Sequence, residues 1–293
     1  MYKESFLEYL RSERHYSPLT VSAYRASLDS FESYMGQQDA DIDWSKVNAG
    51  DIREWIVSLM RDGSAATTVN ARLSALRSFF RYLLSYDYVA QDPTYMVAGP
   101  KKAKPLPKFL RESELDKLFE RVEFGDDFRG RRDYMILLML YSTGIRLAEL
   151  VGMNVGDMDF GARTLRVIGK RNKERQIPFG DELETTAHAY LDARSRVARG
   201  GEPAFYIDEA GQRITRNEVQ YTVKHYLSLV TTMKGCTPHV LRHTFATQML
   251  NHGADIESVK ELLGHDSLAS TQVYTHTTFE ELRRTYECAH PRA

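Results

Sequence analysis

The chain has few cysteines, no long apolar run and no excess of charge of either sign. Cys236 and Cys288 are its two cysteines in 293 residues. They lie far apart and form no metal-ligand spacing, which excludes a disulfide-stapled scaffold and a zinc ribbon. A reducing, cytoplasmic setting is therefore expected. The most apolar stretch, YMILLMLY at residues 134–141, falls far short of the ~20 residues a membrane helix needs. It reads as a buried core helix, and no membrane partner is expected. The opening stretch MYKESFLEYLRSER is charged and reads as an amphipathic helix, not a signal peptide. There are nine histidines, but no HExxH or similar His-carboxylate pattern, so a metal-dependent hydrolase is disfavoured and no metal or cofactor is expected.

With 39 basic and 40 acidic residues the net charge is −1, which argues mildly against nucleic acid as partner. Distribution matters more than the total. Residues 99–111 (GPKKAKPLPKFLR) carry five basic residues and no acid, and residues 161–175 (GARTLRVIGKRNKER) carry six and one. A single charge run is ordinarily a solvated face. Two runs flanking the same chemistry point towards phosphate.

The length suggests two domains, and the 42% hydrophobic content is enough to bury real cores. The first part, residues 1–98, reads as all helix. Ser17-Pro18 is an N-cap and first-position signal for a helix that should run to Met35 and stop at Gly36. A second helix is expected around residues 51–60, stopping near Gly63, and a longer one at about 65–86. On this last helix Val69, Leu73, Leu76, Phe80, Leu83 and Leu84 form an apolar stripe. Asn70, Ser74, Arg77 and Arg81 form a second stripe beside it. The plain reading is a solvated face; the functional one lays Asn70, Arg77 and Arg81 against DNA, where Arg reaches phosphate or guanine and Asn a base edge. On spacing alone the plain reading wins.

Residues 99–108 hold three of the nine prolines and four lysines, a stiff, extended, basic linker that includes Lys101 and Lys102. A second domain, 109–293, should alternate helices with a hairpin of strands at residues 164–168 and 175–179, its turn at 169–174. The expected class is mainly α with a small antiparallel β-sheet in the second domain.

Four separated segments of this second domain hold unusual residues. STGIRLAEL places Arg146 just past an apolar helix ending at Gly144. The basic turn GKRNKE contains Lys170, Arg171 and Lys173. In TPHVLRHT, Thr237 can cap and Pro238 start a helix that sets His239 and Arg242 one turn apart on one face. LGHD contains His265, and Tyr274 follows nine residues later. Singly, each has an ordinary structural explanation: a surface or capping Arg, a soluble turn, a structural His, a core Tyr.

Together, the segments TGIRLAEL, VIGKRNKERQIP, HVLRHTFAT, LGHDSLASTQVYTH and the tail CAHPRA resemble the tyrosine recombinase (phage integrase) family, most like its Xer chromosome-resolution members. The order and separations agree, and VNARLSALRSFFRYLL extends the resemblance to the N-terminal region. It implies a two-domain DNA clamp that cleaves and rejoins DNA through a 3′-phosphotyrosyl bond without metal or ATP. The catalytic set it implies is Arg146, Lys170, His239, Arg242, His265 and Tyr274. Arg171 stands where related sequences commonly have Gly, which leaves Lys173 as an alternative to Lys170 for the general acid. It implies a double-stranded core site, a homo- or hetero-tetramer on DNA, an accessory DNA translocase and nucleoid association. Phe279, Leu282, Tyr286 and Ala289 fall at helical spacing; the plain reading is a helix docked on its own domain, and the resemblance implies one that docks on the next protomer. Integration of a mobile element and type IB topoisomerase activity are the alternatives.

Overall fold

A computed structural model describes residues 2–36, 42–101, 108–169, 174–264 and 279–293. The chain divides into two compact units, residues 1–105 and 106–293.

The first unit contains α1 (Tyr2–Ser12), α2 (Pro18–Tyr34), α3 (Ala49–Arg61) and α4 (Ala66–Ser85). Ser17 accepts the Thr20 N–H and Pro18 occupies the first turn of α2. The helix gives way at Met35, and Gly36 takes a left-handed φ of 71°. α3 begins two residues before its expected start, because Asn48 caps the N–H groups of Gly50 and Asp51. The unit's core is aromatic. Trp44 lies edge-on to Phe79 at 4.7 Å, and Trp55 meets Phe31 at 5.1 Å. Leu84 does not join the apolar stripe of α4: it is exposed, while Phe79 and Tyr82 are buried. The buried arc of the helix is displaced towards Ala75, Phe79 and Tyr82, and that displacement leaves Leu84 outside it.

The second unit opens with α5 (Glu112–Asp116), which runs into a π-helical turn at Lys117–Arg121. Next come α6 (Phe128–Thr143) and α7 (Leu147–Gly152), then β1 (Met158–Asp159), β2 (Thr164–Ile168) and β3 (Glu174–Pro178). They are followed by α8 (Asp181–Ser195), α9 (Arg216–Val230), α10 (Pro238–Asn251), α11 (Ile256–Leu263) and α12 (Phe279–Ala289). The sheet is antiparallel in the order β1-β2-β3. Its first strand is too short to leave an alternating pattern, so the expected hairpin is one strand short of the observed sheet. Glu174 pairs with Ile168 and belongs to β3 rather than to the turn. Residues 135–141 of α6 are all buried, as a helix surrounded by its domain must be.

The tail helix takes, in the single chain, the plain arrangement that its spacing allows. In the single chain α12 packs on its own domain, with Leu282, Tyr286 and Ala289 buried in the same core as α6 and α10. Its apolar face is thus already covered in cis.

Candidate DNA-cleavage site

Two helix ends bring the site together. α6 ends at Gly144 with φ 60°, and α11 ends at Gly264 with φ 62°. Both positions take the left-handed conformation that favours glycine, and packing adds to the demand, strongly at Gly144 and weakly at Gly264. A Cβ on Gly144 would lie 2.6 Å from Phe245 Cδ1, and one on Gly264 would lie 3.1 Å from Arg175 Nη1. Each end leaves backbone carbonyls without helical partners, and such carbonyls attract cations.

Arg242, on the first turns of α10, is only 7% exposed. Its Nη1 donates to Gly144 O at 2.5 Å and its Nη2 to Leu263 O at 2.7 Å. Arg146 immediately precedes α7 and donates through Nη2 to Gly264 O at 2.7 Å. The two arginines expected from separate segments therefore meet at the same pair of helix ends. Burial, and then the charge of Arg146, push Arg242 down to about 10, which still leaves it protonated at neutral pH. A guanidinium has five N–H donors, so holding two carbonyls does not exhaust it.

Glu149 and Arg175 complete the cluster, and neither was singled out from the sequence. Glu149 accepts the backbone N–H of Arg146 at 2.8 Å through Oε2, and Arg146 Nη1 at 2.8 Å through Oε1. Arg175 donates to both carboxylate oxygens, Nη1 at 3.0 Å and Nη2 at 2.8 Å, and through Nε to Leu262 O at 3.0 Å. Burial alone would raise the Glu149 pKa; the Arg175 hydrogen bonds, with those of Arg146, outweigh it and hold the carboxyl below its usual range. The Arg-x-x-Glu spacing at a helix start was the available signal for Glu149. Arg175 had none, since it sits in a basic run that reads as surface.

That run, residues 161–175, is not a uniform phosphate-facing surface among its described residues. Arg163 pairs with Asp181 and Glu184 at 2.6 and 2.9 Å, and Arg166 with Asp157 at 2.7 Å. With Arg175 on Glu149, these three arginines all have acidic partners within the protein.

His239 is exposed near the start of α10, one turn before Arg242. Although the residue is solvent-exposed, partial desolvation of the ring, followed by the charges of His243, Arg242 and Arg146, lowers its pKa, so the imidazole is neutral and a proton acceptor at neutral pH. Thr237 sits at the N-cap but its hydroxyl makes no capping bond; its carbonyl accepts the Val240 N–H at 2.8 Å, and Pro238 opens the helix. Lys170, Arg171, Lys173, His265 and Tyr274 lie outside the described residues, as does Lys102.

In the first unit, Asn70, Arg77 and Arg81 of the second stripe on α4 all have partners within the protein, Arg81 by a long bond from Nε to Arg77 O at 3.4 Å. Asn70 Nδ2 donates to Ala66 O and Pro100 O at 2.6 and 2.9 Å, and Arg77 Nη2 to Val97 O at 2.5 Å. Both tie the chain that leaves the helical unit back onto α4. Arg81 and Lys101 are exposed. No described helix is long and apolar enough to cross a membrane.

One buried and two half-buried arginines gathered at two helix ends, beside a neutral histidine, make a site for an oxyanion such as a phosphodiester. Comparison with known proteins agrees. Residues 108–281 match the phage integrase family and residues 4–86 its N-terminal SAM-like domain. The chain is 38% identical to "Tyrosine recombinase XerC" of Listeria innocua, over 99% of this chain and 98% of that one. It is 39% identical to the protein of the same name from Pelotomaculum thermopropionicum, again over 99% and 98%. Its fold is similar to that of the XerH site-specific recombinase bound to palindromic difH substrate, with TM-score 0.73 and 20% identity over 96% and 83% of the two chains. The chain belongs to the phage integrase family: it is a tyrosine recombinase, an enzyme that cleaves and rejoins DNA.

Proposed function

We propose that the protein resolves chromosome dimers by exchanging strands at a double-stranded core site, with Tyr274 as the nucleophile. The observation that carries the reading is the convergence of Arg146 and Arg242 on the ends of α6 and α11. The full-length similarity to proteins named XerC supports the chromosomal role over integration of a mobile element or simple relaxation.

A phosphodiester is an anion and resists attack by another anion. Two fixed guanidiniums hold its non-bridging oxygens and stabilise the charge that grows in the transition state, each well-placed donor contributing on the order of 3 kcal/mol. Arginine suits this better than lysine because its planar fork matches two oxygens. Tyr274 must lose its proton well below the free phenol pKa of about 10. The neighbouring positive charge favours that loss, and neutral His239 accepts the proton. Attack joins the Tyr274 oxygen to phosphorus and expels the 5′-oxygen, which takes a proton from Lys170. His265 hydrogen-bonds the phosphate. The phosphotyrosyl ester retains the energy of the broken bond, so a new 5′-hydroxyl reverses the step without ATP. The cationic cluster supplies the charge that a divalent ion supplies in many nucleases.

On this reading both units grip the duplex, with Asn70, Arg77, Arg81, Lys101, Lys102, Arg171 and Lys173 contacting it. Assembly as four protomers, nucleoid association and control by an accessory DNA translocase rest on the family resemblance alone. The test is resolution of a plasmid dimer carrying two copies of the core site that footprinting on the host genome identifies. Monomer circles in the presence of the protein, and their absence with Tyr274→Phe, are expected. Relaxation of supercoils without resolution would favour the topoisomerase reading.

A further inference from the structure

Three guanidiniums meet three consecutive carbonyls at the end of α11. Arg175 donates to Leu262 O, Arg242 to Leu263 O and Arg146 to Gly264 O. Two of these arginines are the proposed phosphate holders. The third comes from β3, and it is also joined to Arg146 through the two oxygens of Glu149. The Glu149 side chain is only 4% exposed, so its carboxylate has little access to water and depends on those two arginines. Gly264 has no Cβ, and the Arg175 guanidinium packs close against it, its Nη1 3.1 Å from where a Cβ would stand.

We propose that Arg175 is a positioning residue for strand cleavage: it fixes the Glu149 carboxylate that orients Arg146, and it clamps the last turn of α11, from which the chain continues to His265 and Tyr274. The inference rests on the recombinase reading of the site and adds to it a residue outside the six expected to touch the phosphate. Charge supports the role. Arg146, Arg175 and Arg242 against Glu149 leave the described cluster with two net positive charges, which matches the two negative charges of a pentavalent phosphorane. Geometry supports it further, because a lysine at 175 could not span both carboxylate oxygens and the Leu262 carbonyl together.

The test is single-turnover formation of the covalent adduct on a nicked duplex recovered by repeated selection with the unaltered protein. Arg175→Lys and Arg175→Gln are compared with that protein at saturating enzyme, alongside duplex affinity and melting temperature. Both variants should bind the duplex within about threefold of the parent. Both should cleave it ~100-fold more slowly, the loss that a misplacement of about 1 Å produces. In Arg175→Gln the rate should also fall towards acid pH. Glu149, still buried but without its strongest hydrogen-bond partner, then takes up a proton nearer neutrality and releases Arg146. Adding Glu149→Gln should remove that added limb and leave only the acid limb that protonation of His239 gives the parent as well. Cleavage by Arg175→Lys within about threefold of the parent would overturn the proposal. So would a loss that follows duplex affinity equally at every pH, or the absence of a melting transition in both variants, either of which makes Arg175 merely structural. An unaltered protein that forms no adduct would overturn the recombinase reading itself, and the proposal with it.

Discussion

Replacing Tyr286 by alanine asks where the C-terminal helix sits when the protein is alone in solution. Tyr286 is 1% exposed, and its ring stacks on His290 with centroids 5.0 Å apart and planes 10° apart. Leu282 and Ala289 are buried beside it, at 6% and 3% exposure. Deleting a large aromatic side chain from such a core removes its transfer free energy and leaves a cavity, together about 4 kcal/mol. The unit that holds it spans residues 106–293. For a domain of that size, 1 kcal/mol lowers the melting temperature by about 2–4 °C, so the expected drop is about 8–16 °C. Calorimetry at two protein concentrations reads it. Cis docking makes the drop independent of concentration, whereas a helix held by a neighbouring protomer would make the parent's own melting temperature rise with concentration. A drop under about 2 °C in Tyr286→Ala would refute the cis packing, since no fully buried aromatic is lost so cheaply.

Lys170→Ala should slow cleavage sharply, and a substrate with sulfur at the 5′-bridging position should restore it, because a thiolate leaves without a proton. The same substrate should not rescue Arg146→Ala. Equal rescue of both, or selective rescue of Lys173→Ala, would show that Lys170 is not the acid. Cleavage should also survive excess chelator, because arginines carry the charge that a metal would; loss in EDTA with recovery in Mg²⁺ would contradict this.

Much of this architecture could be read from local sequence. Ser17-Pro18 and Gly36 bound α2 because capping is a matter of a few adjacent residues. Alternation and a basic turn marked β2 and β3, and unbroken apolarity marked α6. β1 escaped because two residues carry no period. The site was legible in a different way. Arg146, His239 and Arg242 stood out only when their segments were taken together as a family pattern. The Glu149–Arg175 bond escaped because it joins residues 26 apart, and the Arg146–Gly264 bond spans 118. No local propensity encodes such pairs. Leu84 and Arg175 show the converse limit. Each fitted a pattern, apolar stripe or basic run, and each was placed elsewhere by tertiary packing.

The central claim is that Tyr274 becomes joined to DNA. A nicked duplex should trap the protein as a covalent adduct, and peptide mass spectrometry after nuclease digestion should find a nucleotide on Tyr274. Tyr274→Phe, which lacks only the nucleophilic oxygen, should bind the same duplex with unchanged affinity and give no adduct. A nucleotide found on another residue, or an adduct formed by Tyr274→Phe, would contradict the account.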